Sequence, residues 1–195
     1  MPTPPRLVLF TRYPIPGMAK TRLIPALGPD GAAALHRRLT ERALDTMQAS
    51  GLPMELRVTG APLPAFQAWL GETPALVEQG EGDLGARMAR AASGAPVVLL
   101  GADVPDLSVR QIAAAAAALD HAQVVIGPAE DGGYYLLGLA APLPFLFEDM
   151  PWGTDVVLQR TLERLAAHGI VPVLLDTLAD LDRPEDLARW PELLA

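Results

Sequence analysis

The sequence predicts an α/β protein with a mostly parallel sheet, and three observations support this class. Short apolar segments, typical of buried strands, alternate with segments whose apolar residues recur every three to four positions, as in amphipathic helices. The 17 glycines and 20 prolines are spread between these segments instead of forming one linker. Loops rich in glycine and charge follow several of the predicted strands. Alternation in this order places helices on both faces of the sheet and ligands at the carboxyl ends of its strands.

Seven short segments are predicted to be strands because they are apolar and bounded by turn residues. They comprise residues 6–11, 54–59, 75–78, 96–100, 124–127, 134–139 and 170–175. Only residues 128–133 separate the fifth segment from the sixth, whereas a parallel crossover needs about a dozen residues or more. We therefore expect either an antiparallel strand here or a strand outside the main sheet.

Six segments are predicted to be helices from the spacing of their apolar residues and from residues that begin helices. In the first helix, Leu35, Leu39, Ala43 and Met47 would share one face. Ser108 precedes an alanine-rich stretch and can act as its N-cap. The helices comprise residues 30–49, 64–70, 85–92, 108–119, 154–168 and 184–190.

The composition limits the class of protein. A chain of 195 residues is long enough to bury a sizeable core, and we predict one domain over residues 1–195. Half of the residues are hydrophobic and 19% are charged, which fits a globular enzyme and not a disordered chain. The absence of cysteine excludes a disulfide framework and cysteine-ligated zinc, and it is typical of cytosolic proteins.

Membrane and nucleic-acid binding are not expected. No apolar run approaches the ~20 residues that a membrane span needs, and residues 6–10 are too short for the apolar region of a signal peptide. We therefore predict a cytoplasmic protein. The formal net charge of −8, without a basic stripe that carries aromatic residues, argues against a nucleic-acid partner. No feature of the sequence predicts an oligomeric state.

The positive charges are unevenly placed along the chain. Lys20 is the one lysine beside fourteen arginines; Arg6, Arg12 and Arg22 lie near it in the sequence, and the first acidic residue is Asp30. A compact ammonium in a chain that otherwise uses guanidinium indicates a position where arginine would not serve. A local concentration of cations on an acidic protein is a candidate phosphate site. Codon bias and chance are the alternative explanation.

The loop that contains Lys20 has the composition of a phosphate-binding turn. Residues 17–22 read Gly-Met-Ala-Lys-Thr-Arg and lie between a predicted strand and a predicted helix. The loop is not a Walker A motif, which requires glycine immediately before the lysine. Its backbone amides and two cations nevertheless suit a diphosphate or triphosphate. The alternative is a surface loop with solvated cations.

Asp103 follows the clearest predicted strand, in the loop Gly101-Ala-Asp-Val-Pro105. A carboxylate at the carboxyl end of a strand is well placed to hold Mg²⁺ or Mn²⁺ against substrate phosphates. These cations prefer oxygen ligands and take few of them from the protein. Capping of the following helix is the alternative role, although Asp106 or Ser108 can do this instead.

Two further loops carry candidate residues near helix starts. In residues 81–88, Asp83, Gly85 and Arg87 surround the start of a predicted helix whose N-terminus can face a ligand. Helix capping by Asp83 is the simpler alternative. Asp180 and Asp182, two positions apart, can add metal ligands or cap the helix predicted to begin at residue 184.

The loop at residues 127–135 reads Gly-Pro-Ala-Glu-Asp-Gly-Gly-Tyr-Tyr. Asp131, the adjacent Glu130 and the two tyrosines can form a wall for an acceptor substrate, while a plain hairpin turn is the alternative. His36, His121 and His168 lie outside the candidate loops, so neither a serine–histidine triad nor a histidine metal site is expected.

Five motifs occur in an order that resembles one known family. They read Phe-x-Arg-x-Pro-x-Pro-Gly-x-x-Lys-Thr-Arg-Leu, Gly-Asp-Leu-Gly-x-Arg-Met, Gly-Ala-Asp-x-Pro, Gly-Pro-x-x-Asp-Gly-Gly-Tyr-Tyr-Leu and Asp-x-Asp-x-Pro-Glu-Asp-Leu. The chain resembles a glycosyltransferase family of the nucleotide-diphospho-sugar transferase superfamily, of the type associated with radical-SAM and selenium-related proteins. That family is similar to 2-phospho-L-lactate guanylyltransferase and molybdenum-cofactor guanylyltransferase. The resemblance extends over about residues 6–190.

The resemblance implies the GT-A fold, a Rossmann-like three-layer arrangement with about seven strands, one of them antiparallel. It also implies that loop 12–22 holds the phosphates of a nucleotide, with Lys20 and Arg22 nearest to them. Asp103 would hold the divalent metal, residues 131–135 would face the acceptor, and Asp180 or Asp182 would complete the metal shell. Residues predicted to bind the nucleotide are Arg12, Gly17, Lys20, Thr21, Arg22, Asp83, Gly85 and Arg87.

One departure from the family pattern bears on the reaction. Metal-dependent glycosyltransferases of this fold usually carry Asp-x-Asp at the strand end, whereas positions 101 and 103 here are glycine and aspartate. A single carboxylate resembles the nucleotidyltransferase branch. We therefore expect Mg²⁺- or Mn²⁺-dependent nucleotidyl transfer from a nucleoside triphosphate to a small phosphorylated acceptor, with release of pyrophosphate. The predicted catalytic residues are Lys20, Arg22, Asp103 and Asp131.

Two alternatives use the same fold differently. In one, sugar moves from a nucleotide sugar to an acceptor near Tyr134, Tyr135 and Trp152. In the other, the protein binds a nucleotide without catalysis. Product analysis separates the two reactions, because nucleotidyl transfer releases pyrophosphate and glycosyl transfer releases a nucleoside diphosphate.

Overall fold

A seven-stranded sheet forms the centre of the molecule, as the computed structural model shows for residues 3–71 and 74–194. It confirms the predicted α/β class. The strands are β1 (Arg6–Arg12), β2 (Met54–Thr59), β3 (Ala75–Glu78), β4 (Val97–Gly101), β5 (Val124–Pro128), β6 (Tyr134–Leu139) and β7 (Val173–Leu174). Each overlaps a predicted strand, although β7 is shorter than the segment predicted at 170–175.

The strand order is β3-β2-β1-β4-β6-β5-β7. β6 runs antiparallel to both of its neighbours, with Leu137 opposite Leu99 of β4 and Ile126 of β5, and the other strand pairs are parallel. The short connection after β5 therefore produces an antiparallel strand inside the main sheet, which is the first of the two arrangements that the sequence left open. A connection of this length can only turn the chain back along the strand it has just left.

Five α-helices flank the sheet. They are α1 (Ile24–Ala49), α2 (Leu63–Leu70), α3 (Leu84–Ala92), α4 (Val109–Ala118) and α5 (Val157–Ala167). α1 is interrupted at Gly28, where φ is 69°, and Pro29 follows, so its regular part begins close to the predicted residue 30. No helix within the described ranges is long and apolar enough to cross a membrane.

The helix predicted at 184–190 is instead a 3₁₀ helix, Pro184–Arg189, followed by another at Pro191–Leu194. Prolines at positions 184 and 191 have no N–H to donate and limit each piece to a few residues, a length at which 3₁₀ geometry is common. Two more 3₁₀ turns lie at Thr21–Leu23 and Pro144–Leu146.

Side chains that alternate along each strand feed two cores, one on each face of the sheet. Leu7 and Leu9 of β1 belong to the cluster that includes residues of α1, α2 and α4. Val8, between them, belongs to the cluster that includes residues of α3 and α5. This alternation is the two-residue period of a strand with both faces covered. A third apolar cluster joins Leu23 and α1 to the end of the chain, including Trp190.

Residues 176–194, which we call the C-terminal segment, lie across the carboxyl edge of the sheet. The amide of Leu178 donates to the carbonyl of Pro128 at 3.1 Å, and that of Leu181 donates to the carbonyl of Asp103 at 2.8 Å. The indole of Trp190 donates to Asp106 at 3.1 Å. The segment therefore closes one side of the region where the polar loops meet.

Gly127, in β5, provides the space for the buried ring of Tyr135 on β6. A Cβ at position 127 would lie within 2.8 Å of three atoms of that ring. Tyr135 is only 3% exposed, and its hydroxyl donates to the carbonyl of Asp176 at 3.0 Å. The ring therefore cannot move away from a Cβ at position 127. Gly101, at the end of β4, has no atom within 4 Å of the equivalent Cβ position.

We expect Gly127→Ala to lower the free energy of unfolding by about 1–3 kcal/mol, because the new methyl overpacks a rigid site. Gly101→Ala is the matched control in the same sheet and should change it by no more than about 0.5 kcal/mol. Urea unfolding followed by circular dichroism measures both values. Equal effects of the two substitutions would show that the contact with Tyr135 does not constrain position 127.

Candidate functional site

Loops at the carboxyl edge of the sheet enclose a cavity of about 390 Å³. This is where ligands gather in open α/β sheets. Its walls come from the loops after β1 and β4, the β5–β6 connection, the start of α3 and the C-terminal segment. Five predicted site residues line it, namely Arg22, Asp103, Asp131, Asp180 and Asp182.

The backbone at Lys20 directs its side chain toward the neighbouring loops. Lys20 has a left-handed conformation, with φ at 49°, and stands directly before the 3₁₀ turn Thr21–Leu23. Leu23 at the end of that turn is fully buried and anchors it in the third apolar cluster. The left-handed region is uncommon for a residue with a side chain and is found mainly at turns and functional sites.

The Lys20 ammonium is buried among oxygens from two distant loops. Its side chain is 4% exposed, and Nζ lies 2.6 Å from Oδ1 of Asp103. Nζ also donates to the carbonyl of Leu181 at 2.5 Å and lies 3.5 Å from Oδ1 of Asp182. Three oxygens therefore face an ammonium that has three N–H groups. The predicted contact of Lys20 with nucleotide phosphates stays a prediction.

Asp103 connects this ion pair to the cavity. Its side chain is 51% exposed and lines the cavity, while its carbonyl accepts the amide of Leu181. Partial withdrawal from water opposes ionisation of Asp103. The charge of Lys20 and the hydrogen bond from it outweigh that effect and hold the pKa of the carboxyl below its usual value. The carboxylate is therefore charged at neutral pH.

Arg22 lies at the cavity wall and contacts Asp182. Nη1 of Arg22 donates to Oδ2 of Asp182, and the Arg22 side chain is 58% exposed. The backbone amides of Asp182 and Arg183 both donate to Oδ2 of Asp186, at 3.0 and 2.7 Å, which fixes the turn that carries Asp182. Asp186 thus supplies the capping role that the sequence left open for Asp180 and Asp182.

Asp131 and Asp180 bring further negative charge to the cavity. Oδ1 of Asp131 accepts the amide of Gly133 at 2.8 Å, which holds the Asp-Gly-Gly turn. Burial raises the pKa of Asp180, and the nearby charge of Asp131 raises it further, with smaller contributions from Asp186 and Asp182. Asp180 is therefore a carboxylate whose surroundings would favour a cation beside it.

The carboxylates of the cavity outnumber its cations. Four line it, whereas Arg22 is the one basic residue among the described lining, with Lys20 directly behind. The sequence suggested one cationic patch, but the fold separates it. Arg6 lies at the other end of β1, where Nη1 donates to Glu55 at 2.9 Å and Nη2 to the carbonyl of Ala91 at 3.2 Å. A seven-residue strand separates residues that are close in sequence only.

The carboxylates of Asp103 and Asp182 can bind a magnesium or manganese ion that a substrate also contacts. Within residues 3–71 and 74–194, no three carboxylate or imidazole groups come together as a complete metal site. Asp103 and Asp182 nevertheless reach a common cation, because both lie within 3.5 Å of the Lys20 ammonium. Two protein carboxylates with water and phosphate oxygens are typical of Mg²⁺ at phosphate-transfer sites.

An aromatic pair forms the opposite wall. The rings of Tyr134 and Trp152 meet edge to face, with centroids 6.5 Å apart, and both residues line the cavity. Gly85 at the start of α3 leaves room for Trp152, because a Cβ there would lie 2.8 Å from the indole Nε1. Burial raises the pKa of the Tyr134 phenol, which stays protonated. Tyr135 belongs to the core on the other face of the sheet, as strand alternation requires.

Several predicted nucleotide-binding residues lie outside the cavity lining. Asp83 caps α3 by accepting the amide of Ala86 at 2.8 Å. Nε of Arg87 donates to the carbonyl of Gly82 at 2.9 Å. Arg12 ends β1 and Gly17 lies in an exposed turn. The described lining of the cavity lacks seven predicted nucleotide-binding residues, namely Arg12, Gly17, Lys20, Thr21, Asp83, Gly85 and Arg87. Their role in nucleotide binding stays a prediction.

The sequence did not indicate some of the cavity walls. Thr154 and Val157 line the cavity without belonging to a candidate loop. Phe10 and Met88 belong to two of the five motifs but were not singled out as site residues. Phe10 and Met88 are apolar residues in a strand and a helix, where sequence patterns indicate only burial. Gly153 and Thr154 lie shortly before α5. Their position at the start of a predicted helix was the indication that the sequence offered for a role in the cavity.

A comparison with known protein families identifies the family of this chain. A family model described as "Uncharacterized protein conserved in bacteria (DUF2064)" matches residues 42–154, more than half of the chain. The chain belongs to this family. No curated protein matches the sequence.

Solved structures share the fold of this DUF2064 protein. It is similar to a "putative nucleotide-diphospho-sugar transferase" from Desulfovibrio desulfuricans G20, with 28% identity, a TM-score of 0.87 and coverage of 97% of this chain and 96% of the other. It is also similar to 4-diphosphocytidyl-2C-methyl-D-erythritolsynthase from Anaerococcus prevotii DSM 20548, with 11% identity, a TM-score of 0.62 and coverage of 98% and 96%.

A third similar structure contains ligands. Glucosyl-3-phosphoglycerate synthase from Mycobacterium tuberculosis, in complex with Mn²⁺, uridine diphosphate and phosphoglyceric acid, is 12% identical, with a TM-score of 0.55 and coverage of 95% of this chain and 74% of the other. At 11% and 12% identity, the second and third similarities show the fold alone. The nucleotide-diphospho-sugar transferase-like fold that the five motifs implied is confirmed.

A buried polar network lies behind the cavity of this DUF2064 protein. Nε2 of His36 lies 3.0 Å from the carbonyl of Arg12, which can only accept, so this nitrogen carries the proton. Oγ1 of Thr11 lies 3.3 Å from the same nitrogen and 2.9 Å from Oγ1 of Thr40. Burial lowers the pKa of His36, although the charge of Asp103 acts against it. The imidazole is therefore neutral at pH 7.

His36 should make the protein less stable in mild acid. Because the pKa of His36 is lower in the folded protein than its usual 6.5, the unfolded chain binds a proton first as the pH falls below 6.5. The free energy of unfolding should then fall by at most about 1.4 kcal/mol per pH unit, down to the folded pKa. His36→Gln keeps a donor near Nε2 but does not titrate, so its stability should depend less on pH.

Urea unfolding between pH 7.5 and 5.5 measures this slope. His121→Gln, at an exposed position, is the matched control and should keep the slope of the unsubstituted protein. If His36→Gln and the unsubstituted protein lose stability in parallel, another group carries the pH dependence.

Proposed function

We propose that this protein is a transferase that uses a nucleotide donor with Mg²⁺ or Mn²⁺, and most specifically a nucleotidyltransferase. In this proposal, a small phosphorylated or phosphonylated acceptor attacks the α-phosphorus of a nucleoside triphosphate and pyrophosphate leaves. The observation that carries it is the cavity at the carboxyl edge of the sheet, where Arg22 faces an excess of carboxylates. Such a lining suits a polyphosphate that arrives with divalent cations and repels one that arrives alone.

Similarity to known structures supports the choice of a nucleotide donor. The 28% identity and the TM-score of 0.87 to the D. desulfuricans protein extend over nearly the whole of both chains. The other two similar structures are named 4-diphosphocytidyl-2C-methyl-D-erythritolsynthase and glucosyl-3-phosphoglycerate synthase, so proteins of this fold are named for a cytidyl product and for a glucosyl product. The donor class is therefore better supported than the group that is transferred.

The loop after β4 favours nucleotidyl transfer. Position 101 is glycine, so Asp103 is the single carboxylate where glycosyltransferases of this fold usually carry two. A Cβ at position 101 would meet no atom within 4 Å, so packing against neighbours does not explain the missing carboxylate. The departure is therefore consistent with a difference in chemistry.

In the proposed reaction, the protein mainly positions groups and balances charge. Asp103 and Asp182 would hold the divalent cation, which when bound would neutralise charge on the phosphates and on the leaving pyrophosphate. The Arg22 guanidinium, more than half exposed at the wall, can donate two parallel hydrogen bonds to phosphate oxygens once it leaves Asp182. Asp131, near the start of β6, would face the acceptor.

Glycosyl transfer is the second candidate, and one observation favours it. Tyr134 and Trp152, whose rings meet edge to face, give the cavity an aromatic wall that can pack against a sugar ring. The same wall can also pack against an acceptor that is not a sugar. Analysis of the released product decides between the two reactions.

Thermal shift with a panel of nucleotides tests donor binding. A ligand at a hundredfold excess over its Kd stabilises the folded protein by about 2.7 kcal/mol, provided that it binds only the folded state. We expect a shift with one nucleoside triphosphate only when Mg²⁺ or Mn²⁺ is present. A shift with a nucleotide sugar alone would support glycosyl transfer, and no shift with any nucleotide would contradict the donor class.

Arg22→Ala should lower the rate of pyrophosphate release by roughly 10²–10³-fold, because one cation that balances charge at the phosphates is removed. The fold should persist, since the Arg22 side chain is 58% exposed. Arg110→Ala is the matched control, because Arg110 is also an exposed arginine that contacts one aspartate. Near-normal turnover of Arg22→Ala would contradict the role of this residue.

A further inference from the structure

Lys20 is the cation that the sequence assigned to nucleotide phosphates, and in this structure its ammonium contacts two carboxylates and a carbonyl. Its side chain is 4% exposed, and its ammonium lies within 3.5 Å of Asp103, Asp182 and the carbonyl of Leu181. To reach a phosphate, the ammonium would have to leave all three of these oxygens.

The oxygens around the ammonium are the kind that a hard divalent cation prefers. Two come from carboxylates and one from a backbone carbonyl, and they approach one point from two separate loops. The ammonium lies 2.6 Å from Asp103 and 2.5 Å from the Leu181 carbonyl. The Lys20 ammonium therefore occupies a position whose surrounding oxygens are of the kind that bind a metal ion.

We propose that Lys20 is a built-in counter-ion that occupies the cation position between Asp103 and Asp182 in the substrate-free protein. A divalent ion then has no free site on these carboxylates until substrate phosphates bring additional oxygens to it. Metal binding and nucleotide binding are coupled as a result, and Lys20 acts as a positioning residue for the two carboxylates. This inference concerns the cation site of the proposed transferase. It rests on that function only in its account of why the site binds a metal ion.

The first experiment measures Mn²⁺ binding to the substrate-free protein by electron paramagnetic resonance. We expect weak binding by the unsubstituted protein and at least tenfold tighter binding by Lys20→Ala, because the substitution leaves both carboxylates and the Leu181 carbonyl without their cation. Adding Asp103→Asn to Lys20→Ala should remove the gain. Mn²⁺ should also raise the Tm of Lys20→Ala more than that of the unsubstituted protein.

Arg22→Ala is the matched control for charge. It also removes one positive charge that contacts Asp182, but from an exposed side chain. We expect it to change Mn²⁺ affinity by less than about threefold, because water already screens an exposed charge. An equal gain in both variants would overturn the proposal, since net charge alone would then explain it. No gain in folded Lys20→Ala would overturn it as well.

A second measurement keeps the proposal testable if Lys20→Ala does not fold. Asp103→Asn in the otherwise unsubstituted protein should change its weak Mn²⁺ binding by less than about threefold, because the Lys20 ammonium already takes the place of a metal ion at the Asp103 carboxylate. A loss of tenfold or more would show that Mn²⁺ binds Asp103 with Lys20 in place, which would overturn the proposal. These titrations contain no nucleotide, so an inactive protein and a wrong assignment of Lys20 give different results.

Discussion

A buried ammonium has to be surrounded by oxygens, and this requirement organises the candidate site. Lys20 meets it with a carboxylate after β4 and with a carbonyl and a second carboxylate in the C-terminal segment. An uncompensated buried charge costs several kcal/mol, so the three loops cannot separate independently. Leu181 reinforces the arrangement by donating its amide to the carbonyl of Asp103 at 2.8 Å. The cavity wall is therefore fixed by one charge and its ligands.

The carboxylates of the cavity repel one another, and the remainder of the fold has to offset this repulsion. They exceed the cations of the cavity, and the pKa of Asp180 is raised by burial and by Asp131. An amide at position 180 would avoid this cost, and sites that bind charged ligands commonly keep such costly groups. In the neighbouring Glu130, by contrast, both carboxylate oxygens accept from Arg189, at 2.6 and 3.1 Å. The negative charge of Asp180 is therefore one that a bound cation can balance.

The sequence predicted the strands and most helices because their signals are local. Apolar periodicity marked the core, and the six-residue connection before β6 indicated the antiparallel strand. The carboxylates of the site were also predictable, since they follow strands. The partner of Lys20 was not, because Lys20 and Leu181 lie 161 positions apart and no local pattern links them. The 3₁₀ form of the last turns was missed because apolar spacing does not distinguish a short α-helix from a 3₁₀ helix.

The same separation along the chain has a consequence for the order of assembly. β1, β2 and β4 all lie within the first 101 residues, so these strands have their partners early during synthesis. The cation cluster, in contrast, lacks a ligand until residue 181 has left the ribosome and the last part of the chain has docked. Contacts of such high sequence separation also form late in folding because they close a long loop. A nascent chain can therefore hold a stable sheet while it is still unable to hold its site.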